Sequence, residues 1–451
     1  MYDTASREVK EIISKNGAIS MYCCGPTVYR DAHVGNLRTF ILSDLIKRAL
    51  KLQGDTVRLI QNITDVGHLA EDLDSQDKML MQAKKENSGP FEIARKYEAN
   101  FHFDLAALNV EPADQYPRAS ETIELMQEMI SSLIENGSAY IGTDANIYFS
   151  AKSFASYGAI SGNKLDALQP GHRYEYLDEG GKLFHADWAL WKSAGTRTEM
   201  IWDSPWGAGF PGWHIECSAM SLRYLDNHVD VHVGGIDLRF PHHENERAQS
   251  NSITKNESVS HWIHGEHLLF EGRKMSKSAG NVLLLSDITA KGIDPLSLRL
   301  VILENKYRSQ MDLTWDSIDA AFTTLKRWRK KVDSWGSSLI VKKDDEIFSS
   351  LMNDLDTPKA IQRLRTIEKD SLISDEMKRA IFMYADQVLA LDLGIKKNSK
   401  SISAQCAKLL EERNIARQEK DWAKSDLLRD QLMQEGIIVS DTSSGQEWDL
   451  I

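Results

Sequence analysis

The stretch from Met21 to Thr64, MYCCGPTVYRDAHVGNLRTFILSDLIKRALKLQGDTVRLIQNIT, constrains the fold of the chain more than any other. A short apolar segment, Met21 to Cys24, stops at Gly25-Pro26-Thr27, which predicts a buried strand ending at a turn. Leu37, Ile41, Leu45 and Leu52 then recur at helical spacing, and Thr56 to Ile63 reads as a β-rich run. Strand, helix and strand in that order make a βαβ unit, which commits the chain to a parallel sheet with helices on its faces. The first strand-to-helix turn of such a unit lies at the carboxyl edge of the sheet, where the free N–H groups of the helix start form an anion site. Here that turn carries His33-Val34-Gly35-Asn36: an imidazole, a glycine that lets a ligand approach the backbone closely, and an amide. The same four residues also suit an ordinary turn with Asn36 as a helix cap, and the tetrapeptide alone does not choose between the two.

At 451 residues the chain exceeds what one hydrophobic core usually serves, so three or four structural units are expected. With 42% hydrophobic and 27% charged residues it has the composition of a soluble globular protein, and no apolar run is long enough to cross a bilayer. Met1 to Lys15 is charged from the start and lacks the zones of a signal peptide, so no membrane partner and a cytoplasmic location are expected. Four cysteines, Cys23, Cys24, Cys217 and Cys406, are too few and too scattered for a disulfide framework; metal binding or burial suits them better. A net charge of −12 means that any polyanion must be met by local basic patches.

The fold class read from the pattern is α/β: a Rossmann-like parallel-sheet domain with an inserted domain, then an α-helical bundle and a small carboxyl-terminal α+β domain. Residues 1–112 and 201–260 are the two halves of the sheet domain, and 113–200 the insertion. Gln82 to Leu108 is helical in pattern with a break at Asn87-Ser88-Gly89-Pro90. Ser120 is placed to cap a helix running to about Asn136 and closed by Gly137, and Ile147 to Phe149 reads as a strand. In the second half, Asp230-Val231-His232-Val233 runs as a strand into Gly234-Gly235, and Phe240-Pro241-His242-His243-Glu244-Asn245-Glu246 opens a helix. A loop-bearing region follows over 261–315, and strand signals nearly vanish across 316–395. Lys396 to Ser401 is a polar linker to the last unit, 402–451, where one long helix to Glu435 with Gly436 as its C-cap and a short tail from Ile437 to Trp448 are expected.

His242 and Glu246, four residues apart on a helix, face the same side and can grip one ion. With Cys217 and Cys24 at the same sheet edge they make an N/O/S₂ set that suits Zn²⁺. Singly, each has a plainer reading: a His with a Glu one turn away is usually a solvated helix face, and a lone Cys is usually core. Cys23 and Cys24 face opposite ways on a strand, so only one can look at the site, and the pattern does not choose which. Lys274 and Lys277, flanked by Ser276, Ser278 and Gly280, make a cationic loop able to reach a polyphosphate, or else a surface loop with two solvated lysines.

Lys274-Met275-Ser276-Lys277-Ser278 resembles the KMSKS loop of class I aminoacyl-tRNA synthetases, and His33-Val34-Gly35-Asn36 resembles their HIGH motif in the corresponding place. Cys23 to Tyr29 (CCGPTVY), Gly212 to Met220 (GWHIECSAM) and Phe240 to Glu246 (FPHHENE) are similar to the cysteinyl-tRNA synthetase family in particular. The likeness covers essentially the whole chain, including Lys420-Asp421-Trp422-Ala423 and Asp441-Thr442. It departs at Asn36, which replaces the second histidine of HIGH, at Val233, where a third glycine is common, and at Phe210, where a basic residue is frequent before Pro211.

The resemblance implies a ligase that joins L-cysteine to tRNA(Cys) at the expense of ATP, with one Zn²⁺ per chain on Cys24, Cys217, His242 and Glu246 and with Mg²⁺ accompanying ATP. It implies catalytic roles for His33, Asn36, Lys274 and Lys277, and nucleotide contacts at Gly25, Thr27, Gly35, Gly235 and Asp237. Cys24, Thr64, Trp213 and His214 would frame the substrate cysteine, and Arg417, Trp422, Asp426 and Asp441 would meet the anticodon from 402–451, with 261–315 carrying the KMSKS loop and the stem contact. A monomer is expected. The zinc has a physical reason in the family. A pocket that reads shape gains only about 1–3 kcal/mol from so small a change as oxygen for sulfur. Rejecting serine ten-thousandfold needs about 5.5 kcal/mol, which a metal–thiolate bond can supply without an editing domain. Two rivals share parts of the pattern: a ligase joining cysteine to an amino sugar, which lacks the anticodon unit, and a non-catalytic zinc- and RNA-binding relative, which has no need of the phosphate lysines.

Overall fold

The opening segment forms a βαβ unit because its helix has one apolar face to bury. β1 (Ile19–Cys23) and β2 (Val57–Gln61) pair in parallel, Met21 opposite Leu59 and Cys23 opposite Gln61. Between them runs α1 (Val34–Gln53), with Leu37, Ile41 and Leu45 buried against the sheet. It stops at Gly54, whose φ of 108° is the left-handed conformation that closes a helix. The computed structural model describes residues 1–15, 17–67, 77–168, 181–275, 280–394, 404–435, 437–442 and 445–450. They fall into two units, Met1–Leu393 and Gly394–Ile451.

In the first unit, α2 (Trp213–Tyr224), β3 (Val229–Gly235), α3 (His242–Thr254) and β4 (Val259–Gly265) complete the sheet in the order β4-β3-β1-β2, parallel throughout. All seven residues of β3 are buried, as a strand covered on both faces requires. The chain turns outward from β1 to β2 and later returns to β1's other side at β3. That places the topological switch, where α/β sheets hold ligands, between β1 and β3.

Beyond β2 the chain carries helices Lys78–Glu86 and Pro90–Ala107, broken at Asn87 as the pattern foretells, and then Ile123–Glu135. An antiparallel sheet follows, Ala139–Ile141, Ile147–Phe149, Trp188–Ser193 and Gly209–Pro211, and packs through Phe149 and Trp188, stacked at 4.5 Å. Ser120 does not cap the helix. A 3-10 turn over Ala119–Glu121 intervenes and Thr122 takes the cap position. The Ser120 N–H and hydroxyl instead donate to the buried Asp65 carboxylate at 2.8 and 2.6 Å, a stronger partner than a helix end.

Strands Leu268–Phe270, Arg273–Lys274 and Met311–Leu313 form a small sheet ahead of helices Trp315–Ser334, Asp345–Met352, Thr357–Lys369 and Asp375–Leu389. These helices pack around the buried Trp328, whose indole N–H donates to Glu368 at 2.9 Å. The linker over 396–401 and the proposed cap Gly436 lie outside the described residues.

The second unit holds two helices, Ala404–Gln418 and Trp422–Gln434, where one long helix was expected, and a hairpin of Ile437–Thr442 with Gly445–Leu450. The break has a local cause: Lys420 sits at φ 61°, and the Asp421 carboxylate starts the second helix by accepting the Lys424 N–H at 3.1 Å. Cys406, Leu410, Leu432, Ile437 and Val439 make its core. Among the described residues no helix is long and apolar enough to cross a membrane.

Candidate functional site

Four donors converge at the carboxyl edge of the sheet. Cys24 follows the last residue of β1, Cys217 lies in α2, and His242 and Glu246 occupy the first and fifth positions of α3. Their ligand atoms all lie within 4.8 Å of one another, and every one of these residues is buried. The two sulfurs are 3.8 Å apart, Cys24 Sγ is 3.6 Å from Glu246 Oε1, and His242 Nε2 is 3.0 Å from that same oxygen. A tetrahedral ion with metal–sulfur bonds of about 2.3 Å sets two sulfurs about 3.8 Å apart, so the sulfur spacing and the soft donor set fit such a metal. Cys23 faces the other way into the core against α1, and burial pushes its thiol up to about 12. The two faces of the sheet thus assign Cys24 to the site.

Electrostatics set the donors apart: a metal can take Glu246 directly as a carboxylate, whereas it must displace a proton from His242 and from Cys24. Burial alone would raise the Glu246 carboxyl, but His232 and His242 hold it well below the usual carboxylate range. Burial alone would lower His242, but Glu246 outweighs it and lifts the imidazole to about 10. A hydrogen bond from Cys24 lowers the Cys217 thiol, while burial raises that of Cys24. Histidines crowd behind the donors: His232 Nε2 is 3.0 Å from Glu246 Oε2, His214 Nδ1 is 2.9 Å from His242 Nδ1, and His243 Nε2 is 3.4 Å from Cys24 Sγ. Cys24, His232, His243 and Glu246 form a second group with metal-donor spacing, which shares two members with the first.

Cys24, Cys217 and His242 border a cleft of about 430 Å³. Trp213, half-buried, lines it and lies at 31° to the His242 ring with centroids 4.3 Å apart. Thr64 also lines it, its hydroxyl donating to the buried Glu216 carboxyl at 3.1 Å, and burial raises that carboxyl well above its ordinary value. His214 does not reach the cleft wall. It is buried against His242, so the structure gives it an indirect place in the site. Gly25 donates its N–H to Asn62 Oδ1 at 2.8 Å, and a Cβ there would lie 1.6 Å from the Asn62 carbonyl oxygen, so no other residue fits beside Cys24.

The far wall is the turn before α1. His33 is the N-cap: its Nδ1 accepts the Asn36 N–H at 3.2 Å, and Asn36 Oδ1 accepts the His33 N–H at 3.3 Å. The capping turn and the ligand-facing turn are therefore the same object. Burial, helped by Arg30, pushes the His33 imidazole down to about 4, so it is neutral near pH 7. With Nδ1 accepting, Nε2 carries the proton and remains a donor. A Cβ on Gly35 would lie 2.9 Å from Met275 Cε, and the Val34 N–H donates to the Leu283 carbonyl at 3.0 Å. The start of α1 is thus met by Met275 of the 274–278 motif and by Leu283 beyond it.

Thr27, Gly35, Asn36, Gly235, Asp237 and Lys274 all line the same cleft. Lys274 is exposed, and its carbonyl accepts from Asn281 at 3.1 Å; Lys277 lies outside the described residues. Arg30, Lys78 and Lys192 also reach the wall, and sequence reading missed them because no motif surrounds a solitary basic residue. At the departure site Phe210, the Arg197 guanidinium lies 4.1 Å over the ring, so a cation sits there from elsewhere in the chain. The departure at Val233 is a buried residue of β3.

In the second unit Asp441 is the hub of a charged cluster. Arg413 grips it through two bonds of 3.0 Å, and Arg417 and Arg429 reach it at 2.8 and 3.1 Å. These contacts, the Arg413 hydrogen bonds first, hold its carboxyl below the ordinary value. Trp422 is 55% exposed, so it is not core, and the Arg417 guanidinium lies 5.5 Å from its ring centroid. Asp426 is exposed, 4.0 Å from Arg429.

Residues 10–323 match the family described as tRNA synthetases class I (C) catalytic domain, and residues 399–448 match the cysteinyl-tRNA ligase anticodon binding domain. A cysteine–tRNA ligase of Thermus thermophilus is 38% identical over 479 aligned residues, covering 100% of this chain and 99% of the relative. Cysteine–tRNA ligase 1 of Burkholderia lata is 39% identical, covering 99% of this chain and 96% of its own. Among solved structures, the methionyl-tRNA synthetase of Mycobacterium tuberculosis with methionyl-adenylate matches with a TM-score of 0.54 at 14% identity, over 90% of this chain and 96% of that one. A leucyl-tRNA synthetase of Agrobacterium radiobacter in a ternary complex matches at 0.59 and 10% identity, over 84% of each chain. The structural likenesses concern the fold alone.

Proposed function

The chain belongs to the cysteinyl-tRNA ligase family of class I synthetases, and on that premise we propose that it activates L-cysteine with ATP and transfers it to the 3′ end of tRNA(Cys). The observation that carries this reading is the buried two-sulfur, imidazole and carboxylate cluster, three of whose members, Cys24, Cys217 and His242, line the same cleft as the α1 turn. Zn²⁺, one per chain on Cys24, Cys217, His242 and Glu246, would supply a soft Lewis acid that prefers the thiolate of cysteine to the hydroxyl of serine.

The chain's own residues account for the rest. A substrate carboxylate oxygen attacks the α-phosphorus of ATP, and the bond to the bridging oxygen breaks with its electron pair leaving on pyrophosphate. Negative charge grows on the leaving group, and preformed donors facing it lower the barrier. His33 Nε2–H, the Asn36 amide and the Lys274 ammonium are such donors on this wall, the family likeness adds Lys277 to them, and Mg²⁺ arrives with ATP. Gly35 and Gly25 admit the nucleotide and substrate closely, Thr27 borders both, and Gly235 and Asp237 sit by the ribose. Thr64 and Trp213 frame the amino acid, and His214 orients His242 from behind. A terminal ribose hydroxyl of the tRNA then attacks the activated carbonyl, loses its proton and displaces AMP.

For the tRNA, Trp422 offers a stacking face and Arg417 a guanidinium for the anticodon, with Asp426 at their side. Asp441, already gripped by three arginines, serves them as an anchor. The matched anticodon-binding domain counts against the amino-sugar ligase, which has no use for one. A monomer in the cytoplasm fits a chain that carries both cleft and anticodon domain. The test is direct: the purified protein holds about one zinc, exchanges pyrophosphate into ATP only with cysteine, and charges tRNA rather than an amino sugar. Absence of exchange in zinc-loaded protein would overturn the reading.

A further inference from the structure

We infer that Thr4, His264 and His243 form a hydrogen-bonded relay that holds a donor against the Cys24 sulfur, making the amino-terminal segment a positioning part of the metal centre. The inference rests on the metal reading above and concerns Thr4 and His264, which no motif singles out, together with His243, which the motif over Phe240 to Glu246 contains without a role. Thr4 Oγ1 lies 2.8 Å from His264 Nδ1, His264 Nε2 lies 2.9 Å from His243 Nδ1, and His243 Nε2 lies 3.4 Å from Cys24 Sγ.

A neutral imidazole donates from one ring nitrogen and accepts at the other, so the row has a polarity that its inner end decides. A metal-bound cysteine is a thiolate, which only accepts. His243 must then donate from Nε2 and accept at Nδ1. His264 must donate from Nε2 and accept at Nδ1, and the Thr4 hydroxyl must donate to it. A protonated Cys24 would let the row run the opposite way, with Thr4 accepting. The thiolate state alone therefore needs the hydroxyl proton of Thr4.

The surroundings hold the row in place. His264 pairs with Gly234 across β3 and β4, and a Cβ on Gly234 would stand 2.5 Å from His243 Cε1, so the glycine makes the space that the imidazole fills. The His243 ring also lies 5.2 Å from that of Trp262, and His243 and His264 are both buried. At the outer end, the Thr4 N–H donates to the Trp262 carbonyl at 2.8 Å, and the Trp262 N–H donates to Asp3 at 3.0 Å, which docks the segment along β4. Without the hydroxyl, a buried ring nitrogen loses its partner and the donation to Cys24 weakens. Losing a contact made directly to a ligand typically costs 10–100-fold in metal affinity, and with two imidazoles between Thr4 and Cys24 the low end of that range is expected here.

The test uses the full-length, zinc-loaded protein with Thr4→Val, which keeps shape and loses the hydroxyl, and Thr4→Ser, which does the reverse. Zinc affinity is read by competition with a chromophoric chelator, and the cysteine donor by the thiolate-to-metal band of the cobalt(II)-substituted protein. Expected are an affinity about tenfold lower and a shifted cobalt band for Thr4→Val, with parent values for Thr4→Ser. Packing alone predicts the opposite order, and that order, or equal losses in both variants, would overturn the relay. Should Thr4→Val fail to fold, His264→Gln, which keeps a donor toward His243, must bind zinc better than His264→Leu; equal affinities would overturn it. A parent chain that takes up no zinc overturns the metal reading and the relay with it, whereas a parent that binds beside an unaffected Thr4→Val overturns the relay alone.

Discussion

The two ends of the cleft are built on different physical terms. At the metal-donor end Cys24, Cys217, His242 and Glu246 are each no more than 5% exposed and are backed by further buried histidines. At the other end Asn36, Asp237 and Lys274 are exposed, and the helix start is held by backbone bonds and caps. On the proposed reading the buried end tells sulfur from oxygen and gains from exclusion of water, because each interaction there is stronger and its geometry is fixed beforehand. An end that handles a polyphosphate can leave its cations in water, since charge and hydrogen-bond donors are all it needs.

The hardest blow to this contrast comes from the buried end. Cys217→Ser is expected to empty the metal site and cut cysteine-dependent pyrophosphate exchange about a thousandfold, since one lost thiolate dismantles a four-donor set. Full zinc content with full exchange would show that the cluster is only a packed core. Lys274→Ala is expected to slow exchange about a hundredfold by lowering kcat, with zinc content and the KM for cysteine held; a rise in that KM would mean that the two ends are not separable. Trp422→Ala, in the second unit, is expected to raise the KM for tRNA about tenfold, far beyond any change in exchange. Equal losses in both assays would remove it from the tRNA surface.

The mildest test is one of pH. His33 stays neutral in the folded chain down to about 4, while the unfolded imidazole takes up its proton near 6.5. The unfolded state therefore binds more protons in that window, and stability falls as pH drops from about 6.5 to 4 while remaining level above it. The fall should be shallower in His33→Gln, measured by thermal unfolding at matched pH values. Identical slopes would mean that His33 is exposed to water like the rest of its wall.

Period and punctuation made much of the fold legible. The apolar stripe of α1, the stop at Gly25-Pro26 and the glycines ending β3 are local signals, and the helices and strands follow them. What stayed hidden depends on distant partners. Ser120 has the look of a cap, but Asp65, 55 residues earlier, takes its hydrogen bonds. The break before Trp422 carries no Gly or Pro, and Lys420 adopts its positive φ without any such marker. At the site, alternation left Cys23 and Cys24 open, and only the sheet's two faces assign them. His214 sits one residue from Trp213, yet one lines the cleft and the other is buried against His242, a distinction that side-chain spacing along a helix start does not reveal.

The donors of the buried cluster come from positions 24, 217, 242 and 246, so the centre is a clasp across a loop of 193 residues between its two cysteines. A chain emerging from the ribosome cannot assemble this set until more than half of its length has been made. A metal bound there would therefore be a late arrival in biogenesis, one that locks β1 to the helices following the insertion after the antiparallel sheet has had time to form.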